Sequence, residues 1–217
     1  MAVIRKFKAI RPTSEMAEAV AALPYDVVNS EEAREMTKDK PYSFLHVDKA
    51  EIDLPVDTDI YSPQVYAKAK ENLDKLVSDG ILVQDNKPML YVYELTMDGR
   101  SQTGLVACTS IDEYLNGIIK KHELTREDKE QDRIRHVDIC NANTGPIFLA
   151  YRTVDEISAI IENVKKNAPV YDFTAEDGIK HRAWVIDNDE TANKLIELFK
   201  SVPNLYIADG HHRNASA

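Results

Sequence analysis

Apolar residues recur along this chain with two alternating periods, and the switches between them mark an interleaved series of strands and helices. Val3 to Ile10 alternates apolar and charged positions and stops at Arg11-Pro12, which predicts a strand. Glu15 to Ala22 is alanine-rich and predicts a short helix, after which Pro24-Tyr-Asp-Val-Val28 returns to extended chain. Ser30 reads as the cap of the next helix, with Glu31 and Glu32 in its first turn, where acids suit the helix dipole. Ser43 to Val47, which carries His46, reads as a short strand, and the Asp- and Pro-rich stretch 51–61 as a loop. The clearest helix begins at Ser62-Pro63, with serine as N-cap and proline at the first position. Its apolar face is Val65, Tyr66, Ala69, Leu73, Leu76 and Val77, and Gly80 ends it.

The second half repeats the alternation. Met89–Leu95 and Gln102–Ile111 predict strands around Met97-Asp98-Gly99-Arg100, a hairpin turn. Gly145–Tyr151 is an apolar strand, and Asp155–Asn167 is a helix amphipathic through Ile157, Ile160, Ile161 and Val164. Val170–Phe173 and His181–Ile186 predict strands joined through Asp177-Gly178. Asp189–Lys200 is helical through Ala192, Leu195, Ile196 and Phe199 and leads into a last strand at Leu205. The pattern predicts an α/β or α+β fold: a mixed sheet with flanking helices and at least one antiparallel hairpin. With no repeat, low-complexity tract or linker, 1–217 reads as a single domain or two intimately packed lobes.

Composition narrows the function. The 217 residues are 43% hydrophobic and 29% charged, values of a globular protein with ample core. No apolar stretch reaches bilayer length and the N-terminus lacks a signal-peptide core, so the expected location is cytoplasmic, with no membrane partner. Cys108 and Cys140, the only cysteines, cannot form a disulfide framework or a four-cysteine zinc site and are expected to be buried thiols. The net charge of −10, with lysines and arginines scattered, argues against a nucleic-acid partner. A small anionic ligand needs only a few local donors and stays compatible. Oligomeric state is left open.

The most informative segment is Leu205-Tyr-Ile-Ala-Asp-Gly-His-His-Arg-Asn-Ala-Ser-Ala217. A strand that turns through Asp209-Gly210 into a helix aims free backbone N–H groups outward, and His211, His212 and Arg213 add side-chain donors for phosphate oxygens. The helix breaks off at Ala217, which predicts that the chain is the N-terminal fragment of a longer protein. A second polar segment, Ile119 to His136, carries a Thr125-x-x-Asp128 capping box and charge pairs spaced for a solvated helix surface: Arg126/Glu130, Lys129/Asp132 and Glu130/Arg133. Ahead of it, Glu123 is a candidate general base or Mg²⁺ ligand, and His122, Lys121 and Arg133 are candidate phosphate partners. A zincin pattern, a Walker loop, a dinucleotide fingerprint and a nucleophile elbow are all absent.

With Pro24-Tyr-Asp-Val-Val28, Lys121-His-Glu-Leu-Thr125, Lys129-x-x-Asp132-Arg133, Gly145-Pro-Ile-Phe-Leu149 and Asp209-Gly-His-His-Arg213, the sequence resembles the DUF1015 family, whose members run longer. That name carries no activity. More distantly, Gly210-x-x-Arg213-x-x-Ser216 is similar to the Gly-x-x-Arg-x-x-Ala motif of the ParB/sulfiredoxin superfamily, where it opens a helix and binds phosphates. Free serine kinases of that superfamily carry an Asp-Gly-His-His-Arg motif and transfer a nucleotide phosphate to the serine hydroxyl, with a glutamate proposed as base. The resemblance implies a ParB/sulfiredoxin-like corner at the C-terminal end in which Gly210, His211, His212 and Arg213 hold phosphates. Their His-Glu pair comes early in the chain, whereas here it stands at 122–123.

The expectation is therefore a small-molecule phosphotransferase, a kinase of free serine or a related hydroxylated metabolite, using Mg²⁺ with ATP or ADP. Glu123 or Asp209 would be the catalytic carboxylate, and Gly210, His211, His212, Arg213, His122 and Arg133 the phosphate-binding residues. The alternatives are a non-catalytic nucleotide-responsive binding protein and, behind it, a ParB-like DNA-binding protein.

Overall fold

A computed structural model describes residues 1–217 as a mixed α+β protein. In chain order the first elements are β1 (Ile4–Arg5), β2 (Ile10–Pro12), α1 (Ala17–Val20), α2 (Ser30–Thr37), α3 (Leu45–Asp48), a 3₁₀ turn (Ala50–Asp53) and α4 (Pro63–Ser78). There follow β3 (Leu82–Gln84), β4 (Leu90–Met97), β5 (Arg100–Val106), β6 (Cys108–Thr109), α5 (Ile111–Leu115) and β7 (Ile119–Lys120). The remainder is α6 (Glu127–Cys140), β8 (Phe148–Ala150), α7 (Asp155–Val164), β9 (Tyr171–Thr174), β10 (Lys180–Ile186), α8 (Asp189–Phe199), β11 (Leu205–Asp209) and α9 (His211–Ala215). No helix is long and apolar enough to cross a membrane.

The chain divides into two compact units. The first comprises Met1–Ser14, Gln84–His122 and Leu149–Ala208. Its centre is an antiparallel sheet in the order β5-β4-β10-β9, and β4 and β5 form the expected hairpin, turning at Asp98 and Gly99, both at positive φ. β11 runs parallel to β7. Leu90, Val92, Trp184 and Ile186 of the central strands are buried, as are Ile157 and Ile161 of α7 and Ala192, Leu195 and Phe199 of α8. The inward positions of the two amphipathic helices are those the 3.6-residue period marks.

Two carboxylates are drawn into this unit. Asp85 accepts from Arg11 Nε (3.0 Å) and Nη2 (2.8 Å) and from the Tyr91 hydroxyl (2.5 Å). Glu94, only 1% exposed on β4, accepts from Thr103 (2.9 Å) and is paired with Lys165 (2.7 Å) and Arg182. The fork of a guanidinium satisfies a buried carboxylate as water would, which is what lets a charge stay in a core.

The second unit comprises Glu15–Val83, Glu123–Phe148 and Asp209–Ala217. It is built on α4, whose Val65, Tyr66, Ala69, Leu73 and Leu76 are buried as the periodicity requires, with Val20, Val47, Ala50, Leu82 and Cys140 in the same cluster. Val77, assigned to that face, is exposed at its edge.

The structure corrects several local readings. Ser43–Val47 is no strand: residues 45–48 form α3, because a short apolar run is ambiguous and packing of Val47 in the α4 cluster and Leu45 beside Ala33 and Ile52 decides it. Pro24–Val28 is a turn, closed by Val27 N–H to the Pro24 carbonyl (3.2 Å). Asn29, not Ser30, caps α2: its side chain accepts from Glu31 and Glu32 N–H while Glu32 reaches back to its own N–H, and Ser30 donates to Glu51. The Thr125/Asp128 capping box does not form; Thr125 donates to Glu130 (2.6 Å) and Arg126 pairs with Asp128 (2.7 Å). The predicted strand Val3–Ile10 is two short strands. Cys140 is buried as expected, but Cys108 is exposed.

Two outcomes are expected. Asp85→Asn leaves Arg11 without a charged partner and should lower stability to denaturant by about 2–4 kcal/mol, measured against wild type. In the second unit, His46 Nδ1 meets Asp53 (2.9 Å) and Nε2 meets the Lys40 carbonyl (3.2 Å), an arrangement only the protonated ring satisfies at both nitrogens. The Asp53 carboxylate therefore raises His46 against partial burial, and His46 in turn helps hold Asp53 low. A raised folded-state value gives stability that is complete below the ordinary histidine range and lost as pH rises through the raised value. Melting temperature should thus fall in wild type as pH rises above the ordinary histidine range. His46→Gln should flatten that decline.

Candidate functional site

The C-terminal corner lies in the second unit. β11 ends at Asp209, Gly210 sits in the left-handed region at φ +85°, and α9 follows at once. Only glycine takes that conformation without strain, so the turn is as sharp as the Asp-Gly pair predicts. One helical turn later, Arg213 folds back to pair with Asp209 and donates from Nη1 to the Pro146 carbonyl (2.7 Å). Asp26 stands 3.9 Å from Nη2. The side chain lies across two glycines: a Cβ on Gly145 would fall 3.0 Å from Arg213 Cδ, and one on Gly210 would fall 3.0 Å from Nε. Held there, the Nε–H is buried with no hydrogen-bond acceptor from the protein.

The facing wall comes from α6. Its inner side is a stripe of Asp132, Arg133, His136 and Cys140, spaced by helical turns and buried. Burial of these polar residues against α4 is made tolerable by pairing. The Tyr66 hydroxyl donates to Asp132 Oδ1 (2.9 Å), and Arg133 Nε donates to Oδ2 (2.9 Å). Burial and the Asp132 charge push the Tyr66 hydroxyl up to about 12. Thus fixed, the Arg133 guanidinium lies over the Tyr25 ring, 4.2 Å from its centroid.

His136, one turn along and 3% exposed, donates from Nε2 to the Val47 carbonyl (3.0 Å). A carbonyl can only accept, so the proton sits on Nε2 and Nδ1 carries a lone pair. Burial first, and the Arg133 charge second, hold His136 below its usual range, which keeps the ring neutral near pH 7. Beside it, Thr144 donates to Asp48 Oδ1 (2.6 Å).

These parts line one pocket, open to solvent, bordered by Tyr25, Asp48, Arg133, His136, Thr144 and Arg213, among others. Two pinned guanidinia offer donors in fixed directions, the natural complement of a carboxylate or phosphate. Asp48 and His136 offer acceptors on the same lining.

Of the residues singled out from sequence, Arg133 and Arg213, eighty positions apart, meet in this pocket, with Asp209 and Gly210 positioning the second of them. The other candidates stand elsewhere. Glu123 is exposed and its carboxylate lies 3.0 Å from Nδ1 of the buried His211. His212 Nε2 accepts from the Arg126 N–H (3.1 Å), tying α9 to the start of α6. His122 is exposed in the loop before Glu123. Sequence reasoning missed His136, Asp48 and Thr144. For His136 a signal existed, since Asp132, Arg133, His136 and Cys140 share one helical stripe, but the charge pattern of the same segment reads as a solvated face.

Gly145→Ala should keep the fold, since the backbone there is ordinary and a shift of a few tenths of an ångström in the Arg213 stem relieves the 3.0 Å approach. Its expected signature is a weakened response to inorganic phosphate with little change in melting temperature. Gly210→Ala should in addition lose about 1–2 kcal/mol of stability, from the left-handed φ. Parallel thermal melts with and without phosphate compare the two.

No curated protein and no solved structure matches the chain. The family described as "Protein of unknown function (DUF1015)" matches residues 4–217, as the motifs at residues 24–28, 121–125, 129–133, 145–149 and 209–213 imply. The chain belongs to the DUF1015 family.

Proposed function

We propose that this protein binds a small phosphorylated ligand and acts as a phosphotransferase, a kinase of free serine or a related hydroxylated metabolite. The observation that carries the reading is the meeting of Arg133 and Arg213 in one pocket, the latter with a buried Nε–H that no protein acceptor satisfies. A buried N–H left unpaired costs about 1–3 kcal/mol, a cost that an anion's oxygen would remove. Phosphoryl transfer asks a protein mainly for positioning and charge stabilisation, and two guanidinia that cannot swing away meet that demand. The similarity of Gly210-x-x-Arg213-x-x-Ser216 to the ParB/sulfiredoxin phosphate motif points the same way. In this proposal Arg133 and Arg213 hold phosphate, with His211, His212, His122 and Gly210 shaping the corner. Mg²⁺ with ATP or ADP supplies the phosphoryl group, and Glu123 or Asp209 receives the acceptor's proton or assists the metal ion.

One observation favours a second reading, a nucleotide-responsive binding protein without turnover. Glu123 is engaged with His211 and Asp209 with Arg213, so neither carboxylate stands free for base catalysis.

Both readings are tested by thermal shift with ATP, ADP and pyrophosphate, each with Mg²⁺. At a hundredfold excess over Kd, binding to the native state should raise the melting temperature by about 5 °C or more. Arg213→Ala and Arg133→Ala should each abolish most of the shift. The absence of a shift with any phosphate ligand would reject the proposal. If ligands bind, Glu123→Gln separates the readings: an enzyme loses rate while keeping affinity, and a binding protein shows no turnover to lose.

A further inference from the structure

The pocket leaves one donor and one acceptor unsatisfied, and they sit on residues brought together from α6 and α9. Arg213 Nε–H lacks an acceptor, and His136 Nδ1 lacks a donor. Each is a cost when buried, and the two call for opposite chemistry in whatever they meet. The oxygens of a phosphate or carboxylate satisfy the arginine but, once ionised, have no hydrogen to give the imidazole. His136 cannot turn its ring to become a donor at Nδ1, because Nε2 is committed to the Val47 carbonyl and a doubly protonated ring is opposed by burial and by Arg133.

We infer that His136 is the specificity-determining residue of this pocket: its Nδ1 accepts a hydrogen bond from a hydroxyl carried by the ligand whose anionic group lies on Arg133 and Arg213. The ligand class is then a hydroxylated anion, a phosphate monoester or carboxylate with an alcohol a few bonds from the charge. This rests on the proposed reading of the pocket as an anion site and adds to it which anions are chosen. No nearby side chain already supplies the missing proton: Thr144 donates to Asp48, and the Tyr66 hydroxyl donates to Asp132.

The test compares two probes of equal charge, glycerol 1-phosphate and n-propyl phosphate, by calorimetric titration of the protein. Glycerol 1-phosphate should bind about five- to tenfold more tightly, the worth of one hydrogen bond to a buried acceptor. His136→Gln keeps a donor near the Nε2 position for Val47 and removes the ring acceptor. It should erase that preference, so that the two probes bind equally. In ¹⁵N spectra of wild type, the His136 Nδ1 signal should shift on adding glycerol 1-phosphate and not on adding n-propyl phosphate. Equal affinity of the two probes, or a His136→Gln variant that still discriminates between them, would overturn the inference and leave the anion site standing. Binding of neither probe would overturn both.

Discussion

The Asp132 carboxylate is the interaction on which the second unit's chemistry depends. It is buried on α6 between the Tyr66 hydroxyl and the Arg133 guanidinium, one oxygen to each. Tyr66 is itself locked in the α4 face, so the hydrophobic packing of α4 fixes the position of a charge on the neighbouring helix. Arg133 then stands over the Tyr25 ring and cannot rotate toward solvent without giving up that contact. A flexible cation on a helix surface would lose most of its affinity for an anion to ordering its own side chain. Here that ordering is accomplished when the protein folds.

Arg213 is pinned by different means to the same end. A left-handed glycine sets the direction of α9, and Asp209 and the Pro146 carbonyl take part of its guanidinium. Acids outnumber the two arginines around the pocket, with Asp26, Asp48, Asp132 and Asp209 all near them, and the whole chain is strongly acidic. Recognition in such a place is short-ranged: it comes from the directions of individual N–H groups and lone pairs, because no surrounding positive field draws anions in.

Much of the fold was legible in the chain. The 3.6-residue period of α4, α7 and α8 identified their buried faces, since those helices are amphipathic, and Pro63 and Gly80 mark the ends of α4. The β4–β5 hairpin followed from Asp98-Gly99, which accept positive φ. Failures cluster where local signals are weak or compete. Leu45 and Val47 suit a strand as well as a helix, and burial against two different neighbours chose the helix. Asn29 and Ser30 are both good caps, and Ser30 was taken by Glu51, a partner twenty-one residues away.

The sequence by itself determined the class of the fold, the sharp turn at Asp209-Gly210 and the family to which the chain belongs, because these depend on residues adjacent in the chain or on the composition of one element. It also marked Arg133 and Arg213 individually. That the two share a pocket, that His136 lines it with its Nε2 bonded to the Val47 carbonyl, and that His212 bonds to Arg126 were decided only by tertiary structure. The reason is physical: the protonation and orientation of a side chain follow from what buries it. Here the burying groups, Val47, Tyr66, Tyr25 and Pro146, come from parts of the chain that no local pattern connects.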